Sequence, residues 1–340
     1  MQNGAGNEEL TVLIIDTHND AILETPCPEK GLTNENNCVS IKKMREGGVA
    51  MMTFAAFSSP LEPYATRWGN GDMWQLGARN LEAFHTLMDV HKGELQQILC
   101  PEDLFAAQKA GKLGAMLSIE GGDMLRGDMN VMHLIYRLGV RMFGLCWSHK
   151  NEITCSCIEQ GEKDTGLTDF GRDVVRYCDE KGVIVDLSHA SDKAFWDVAA
   201  LSKNGVCASH SDARGLCPDQ VRNLTDEMLA EIGRGNGYVG VNFCHDFLVG
   251  GGYAEDHLAT IEDAVRHVEY MAEKAGVHCV GIGSDFDGIS RVPVGLEDCS
   301  KLPNLAEALL RRNWKEEHVR GVMGENFLRY WTGVWENRTK

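Results

Sequence analysis

DLSHASDKAFWDVAALSKNGVCASHSDAR, residues 186–214, reads as strand, helix, strand. Two apolar runs, 183–187 and 206–208, each end in a Ser-His pair, Ser188-His189 and Ser209-His210, with a helical segment, 193–201, between them. A crossover of this kind joins parallel neighbours. The pattern therefore predicts two imidazoles at the same end of adjacent strands. Neutral imidazole is the commonest metal ligand, so the pair supplies half a coordination shell.

Working outward, apolar runs of the same type recur at 12–15, 49–56, 115–119, 141–146, 183–187, 206–208, 238–243 and 280–282. Each is nearly continuous in apolar residues, as expected of strands covered on both faces in a parallel sheet. Segments with helical spacing and charged outer faces intervene at 73–92, 101–112, 169–181, 225–234 and 258–275. Eight βα repeats predict a (β/α)8 TIM-type barrel of the α/β class. No linker rich in Pro, Gly or Ser divides the chain, so residues 1–340 are expected to form a single barrel domain.

The residues just past these runs share one chemistry. The first run leads into Asp16-Thr17-His18-Asn19-Asp20, the third into Glu120-Gly121-Gly122 and the fourth into Trp147-Ser148-His149. The fifth and sixth end in His189 and His210, and the eighth in Asp285-Phe286-Asp287-Gly288. Polar groups thus collect at the carboxyl ends of the strands, where barrel enzymes keep their active sites.

His18 and Asp20 are two apart, a spacing that puts both on one side of an extended strand. Taken singly, that pair also reads as a polar strand end, Glu120 as a turn carboxylate and Asp285 as an Asx cap. A charge abutting a buried strand is costly unless paired, which favours a ligand at Glu120. Together His18, Asp20, Glu120, His189, His210 and Asp285 make three histidines and three carboxylates. That set exceeds one tetrahedral ion with an open position. It suits two divalent ions bridged by a carboxylate and sharing a hydroxide, a centre that activates water and polarises a carbonyl. Nitrogen and oxygen ligation without thiolate favours Zn2+, with manganese, iron and cobalt as alternatives.

Composition narrows the partners. A formal charge of −17 over 340 residues argues against a nucleic-acid or anionic-membrane surface. No apolar run reaches the roughly 18–20 residues of a spanning helix. The first residues, MQNGAGNEELTVLIID, show no signal-peptide pattern, and a cytoplasmic location is expected. The twelve cysteines are scattered without a CxxC pair, which predicts buried, reduced thiols. Cys27 and Cys38, flanking a polar loop, are the pair to check for cross-linking, and Cys155 and Cys157 read as local packing.

The motifs IDTHND, SIEGG, VDLSHASDKAFWDV, ASHSDAR, VRNLTDE, GIGSDFDG and GENFLR, in this order from Ile15 to Arg329, resemble the membrane (renal) dipeptidase family, the M19 metallopeptidases among the amidohydrolase-like barrels. The resemblance implies a binuclear zinc dipeptidase that hydrolyses small dipeptides with a free C-terminal carboxylate, by attack of a metal-bridging hydroxide on the peptide carbonyl. It implies that His18, Asp20 and Glu120 hold one ion, that Glu120 bridges, and that His189 and His210 hold the second. Asp285 would lie at the first ion and carry a proton to the leaving amine. His149 would contact the substrate carbonyl and steady the oxyanion, and Arg222 would pair with the substrate carboxylate. A homodimer is also implied. Well-known animal members are secreted, glycosylated and lipid-anchored, and signals for these are not seen here. Another amidase or lactonase on the same barrel, or a metal-binding protein without turnover, are the alternatives; Arg222 argues against the former, Asp285 and His149 against the latter. Of the other histidines, His85, His91, His133, His257, His267 and His318 read as exposed or half-buried helical positions. His245 and Asp246 could line the pocket but receive no role, and Asp287 reads as a carboxylate that supports the ligands from behind or fixes its loop rather than as a ligand.

Overall fold

Nine parallel strands carry the architecture of the computed structural model, which describes residues 12–23, 27–61, 72–159, 161–250 and 258–339. They are β1 (Ile14–Asn19), β2 (Val49–Phe57), β3 (Leu95–Gln97), β4 (Leu113–Glu120), β5 (Val140–Gly144), β6 (Ile184–Asp186), β7 (Cys207–Ala208), β8 (Tyr238–Val241) and β9 (Val280–Ile282). β1 pairs with both β2 and β9, and β2 pairs with β4 along Met51–Phe57, so the sheet closes on itself. The closed ring has eight strands, each matching one of the predicted runs, and is a (β/α)8 barrel. The ninth, β3, is an addition. It pairs only with the first residues of β4, Leu113 to Ala115, below the point where β5 takes over that edge.

One residue from each of seven strands, Ile15, Met51, Met116, Met142, Ile184, Cys207 and Tyr238, shares an apolar cluster with Phe327, Tyr330, Trp331 and Val334. These residues fill the barrel from its amino-terminal end, with the helix Asn326–Glu336 as a plug. Asn326 locks the plug by donating to the carbonyls of Val277 (2.8 Å) and Val280 (2.7 Å). The larger cluster lies between the outer strand faces and the surrounding helices, through residues such as Phe54, Leu117, Val185 and Val241. With one end plugged, the opposite end, at the strand carboxyl termini, is left for chemistry.

Two expectations change. β1 does not stop at Ile15 but runs on through His18 to Asn19. The polar extension is held because Asp16 accepts from Ser284 N (2.9 Å) and Oγ (2.5 Å), and Asn19 donates to Thr53 O (2.8 Å). His91 and His267 are buried rather than exposed or half-buried, at 6% and 1%. The Nε2 of His91 accepts from Leu32 N (2.9 Å); His267 accepts from Ala213 N at Nδ1 (3.1 Å) and faces Leu248 O with Nε2 (3.0 Å). Both are polar clamps between elements. His85, His133 and His318 are half-buried or exposed as expected, and His257 lies outside the described residues. All twelve cysteines are free thiols, eight of them buried, Cys155 and Cys157 included. Among the described residues no helix is long and apolar enough to cross a membrane.

Candidate metal centre

Backbone pairing at the rim brings distant ligands together. Asp285 N donates to His18 O (3.1 Å) and Asp20 N to Phe286 O (2.8 Å), which joins the end of β1 to the loop after β9. Asp285 and Asp287 take positive φ, 62° and 66°, a conformation that Asp tolerates better than most residues. Asp287 spends its carboxylate on the loop, accepting from Cys38 N (2.6 Å) and Val39 N (3.0 Å), as predicted. Glycine is required at 288, because a Cβ there would stand 2.1 Å from Asp20 Oδ2 and 2.7 Å from Asp285 Oδ1.

All six predicted ligands converge. His18 Nε2 is 3.5 Å from Asp20 Oδ2, 3.5 Å from Glu120 Oε2 and 3.9 Å from Asp285 Oδ1. Glu120 Oε1 is 3.0 Å from His189 Nε2 and 3.8 Å from His210 Nε2. One carboxylate thus turns one oxygen to His18 and the other to His189 and His210. Three overlapping groups have ligand atoms within 4.8 Å of one another: His18, Asp20, Glu120; Glu120, His189, His210; and His18, His210, Asp285.

The His210 ring is aimed by a buried network. Asp186 accepts from Ser188 N (3.1 Å) and Oγ (2.6 Å) and from Ser209 N (2.8 Å) and Oγ (2.5 Å). With its proton committed to Asp186, Ser209 Oγ accepts from His210 Nδ1 at 2.7 Å. That leaves His210 Nε2 unprotonated and facing Glu120, the tautomer a ligand needs. Asn242 Nδ2 donates to Asp285 Oδ2 (2.9 Å), fixing the carboxylate whose other oxygen faces His18.

Burial, followed by the charge of Glu120, pushes the Asp20 carboxyl well above the usual range. Burial also opposes charge on His18, yet Glu120 and Asp20 outweigh it and hold that imidazole well above its ordinary value. Glu120 lies below its usual value, the attraction of His18 and His189 prevailing over burial. Burial lowers His210 strongly and His189 less, with His18 adding to the first and Arg222 to both. His18 Nε2 and Asp20 Oδ1 are buried without a hydrogen-bond partner. Orphaned donor atoms among crowded carboxylates and neutral imidazoles fit divalent cations, which would neutralise the one and ligate the other.

Beside the cluster is a cavity of about 360 Å3, walled by Asp20, Glu120, His189 and Asp285 and by the apolar Leu23, Phe57, Trp147, Phe247 and Ile289. Two predicted residues stand back from it. Arg222 is buried, donating to Ser211 Oγ (2.7 Å) and His210 O (2.9 Å). Its guanidinium is 5.5 Å from the centre of the Phe247 ring, and its Nε has no partner. His149 borders a neighbouring hollow of about 710 Å3, with Nε2 2.7 Å from Asp123 Oδ1. Its ring meets Trp147, which also reaches His189 (centroids 6.5 and 6.1 Å). Asp123, Asp186 and Asn242 were not singled out from sequence, and Ser209 was named only as part of its Ser-His pair. For Asp186 a signal existed, a carboxylate inside an apolar strand two residues before Ser188.

A closed parallel barrel that gathers imidazoles and carboxylates at its carboxyl rim defines a metal-dependent hydrolase. The chain matches the membrane dipeptidase family, peptidase family M19, over residues 9–340, and belongs to it. It is 33% identical over 337 residues to an uncharacterized dipeptidase of Schizosaccharomyces pombe, covering 94% of this chain and 79% of that one. The solved dipeptidase AC, a metallopeptidase of family M19, superposes with a TM-score of 0.85 at 28% identity, covering 96% of this chain and 99% of that chain. A Rhodobacter sphaeroides metallopeptidase, liganded with a phosphinate mimic of the dipeptide L-Ala-D-Ala, gives 0.85 at 26% identity, covering 97% and 99%. The protein is a metallo-dipeptidase.

Proposed function

We propose that this enzyme works with two divalent ions, zinc by its donor set, and hydrolyses small dipeptides that carry a free C-terminal carboxylate. The observation that carries the two-ion reading is Glu120, whose Oε2 faces His18 and whose Oε1 faces His189 and His210. His18 and Asp20 would hold one ion with Glu120, and His189 and His210 the other. When bound, such ions polarise the scissile carbonyl and make water a nucleophile near neutral pH.

The chain's own groups supply the rest. Asp285, held by Asn242 through one oxygen, takes a proton at the other and delivers it to the leaving amine. His149 donates to the developing oxyanion. Arg222, with a buried and unpartnered Nε, takes the substrate carboxylate; a planar fork suits that group. Leu23, Phe57, Trp147, Phe247 and Ile289 exclude water around the dipeptide. Residues 1–340 form one domain in this reading, and the twelve free thiols suit a reducing compartment such as the cytoplasm. Whether two copies associate is read from the protein's mass in solution.

The test is a dipeptide-library hydrolysis screen on metal-analysed protein, including Xaa-Gly and L–D pairs such as L-Ala-D-Ala, and amides lacking the carboxylate. Two equivalents of metal with dipeptide turnover are expected. Metal without hydrolysis of any dipeptide, or equal turnover of the carboxylate-free amides, rejects the reading.

A further inference from the structure

We propose that Asp123 is a positioning residue for catalysis, holding His149 through Nε2 so that Nδ1 is the atom presented to the substrate oxyanion. The inference rests on the role given to His149 above. Asp123 is 6% exposed and sits in the turn Gly122–Leu125 directly beyond Glu120 and Gly121. Its Oδ1 is 2.7 Å from His149 Nε2, and its Oδ2 accepts from Asn151 Nδ2 at 3.3 Å. Asn151 is itself fixed, donating to Leu145 O (2.9 Å) and accepting from Ile153 N (2.9 Å) and Thr154 N (3.1 Å). The carboxylate is therefore anchored on both oxygens. His149 Nδ1 is buried and has no partner.

Each ring nitrogen has its own task. A carboxylate accepts only, so Nε2 must carry its hydrogen. To donate to an oxyanion, Nδ1 must carry one as well, which makes the ring an imidazolium. Asp123 fixes the ring's orientation through Nε2, as an orienting carboxylate does behind a catalytic histidine. The other charged groups around this hollow, among the described residues, are Asp72, Arg126, Lys150 and Glu152. Asp72 and Arg126 pair with each other at 3.1 Å, and Lys150 donates to Thr165 Oγ1 at 3.3 Å. None of them is ion-paired with His149, whose carboxylate partner is Asp123.

Asp123→Asn keeps the shape and removes the charge. On the best substrate of the panel it is expected to lower kcat about 100-fold. KM should stay within about threefold, with metal content and Tm unchanged. Asp123→Glu should recover part of the loss. In a His149→Gln background, Asp123→Asn should add less than about a twofold further loss, because the two act as one unit. Native-like kcat in Asp123→Asn, or the same fold-loss with and without His149, overturns the proposal. A second measurement stands apart from turnover. In 15N NMR of the metal-loaded protein, assigned with His149→Gln, the Nε2-bound proton of His149 should be seen in the native chain and lost to solvent exchange in Asp123→Ala. A proton seen equally in both overturns the proposal even if no dipeptide is hydrolysed, whereas absence of hydrolysis with that proton lost in Asp123→Ala rejects only the reading of function.

Discussion

At the residue scale, His189 and Asp285 separate binding from chemistry. His189→Ala removes a nitrogen that faces Glu120 at 3.0 Å, so it should lose metal and activity together. Asp285→Asn keeps the contact with Asn242 and the loop geometry but removes the basic oxygen. Its kcat should fall by at least about 100-fold with metal content retained, as read by elemental analysis beside steady-state kinetics. A retained rate would overturn the proton-carrier role. Gly288→Ala probes the packing of the same carboxylates. Because its Cβ would meet both Asp20 and Asp285, it should weaken metal binding at least about tenfold, measured by competition with a chelating dye, while the fold persists. The six candidate ligands were legible because each lies just past an apolar run, and a parallel barrel sends every such end to one rim. Asp123, Asn242 and Ser209 were not, because their roles depend on partners set by other elements. No spacing rule links Asp123 to His149, 26 residues away.

At the element scale, period and composition located all eight barrel strands but not β3, whose Leu-Gln-Gln carries no apolar run and survives by pairing with β4. They also undershot β1, since Asp16 and His18 look like loop residues until Ser284 and Phe286 supply their partners. His267 shows the same limit within the helix Ile261–Ala275. Helical spacing places it on a face but says nothing of Ala213 and Leu248, which it joins. This clamp has a pH signature. Burial lowers His267 from 6.5 to about 4. Its folded value lies below its unfolded one, so the native protein binds fewer protons in that window. Stability tied to it is whole above about pH 6.5 and is lost as pH falls toward 4, by at most about 3 kcal/mol. His267→Gln should be less stable at neutral pH yet lose less on acidification. Urea unfolding at pH 7 and pH 4.5 checks this, and parallel pH dependences in the two proteins would remove His267 as the source of the acid sensitivity.

At the scale of the whole molecule, the plugged end and the metal end make different demands. Phe327 and Trp331 close the amino-terminal mouth with fully buried aromatic surface, which stabilises the barrel without any ligand. The opposite rim instead concentrates Asp20, Glu120 and Asp285 around three imidazoles, and burial of Asp20 opposes its ionisation. Cations that bind only the folded rim stabilise the fold by mass action, about 2.7 kcal/mol at a hundred times the dissociation constant. For a chain of 340 residues such a gain moves Tm by roughly 4 °C. Exhaustive chelation should therefore abolish dipeptide hydrolysis and lower Tm by at least that amount. Stepwise return of Zn2+ should restore both, with the curve breaking at two equivalents per chain. A break at one equivalent would leave Glu120 as a terminal ligand rather than a bridge. A Tm indifferent to chelation would mean that the rim carries its carboxylates without cations, and the assignment of His18, Asp20, Glu120, His189 and His210 as ligands would fall with it.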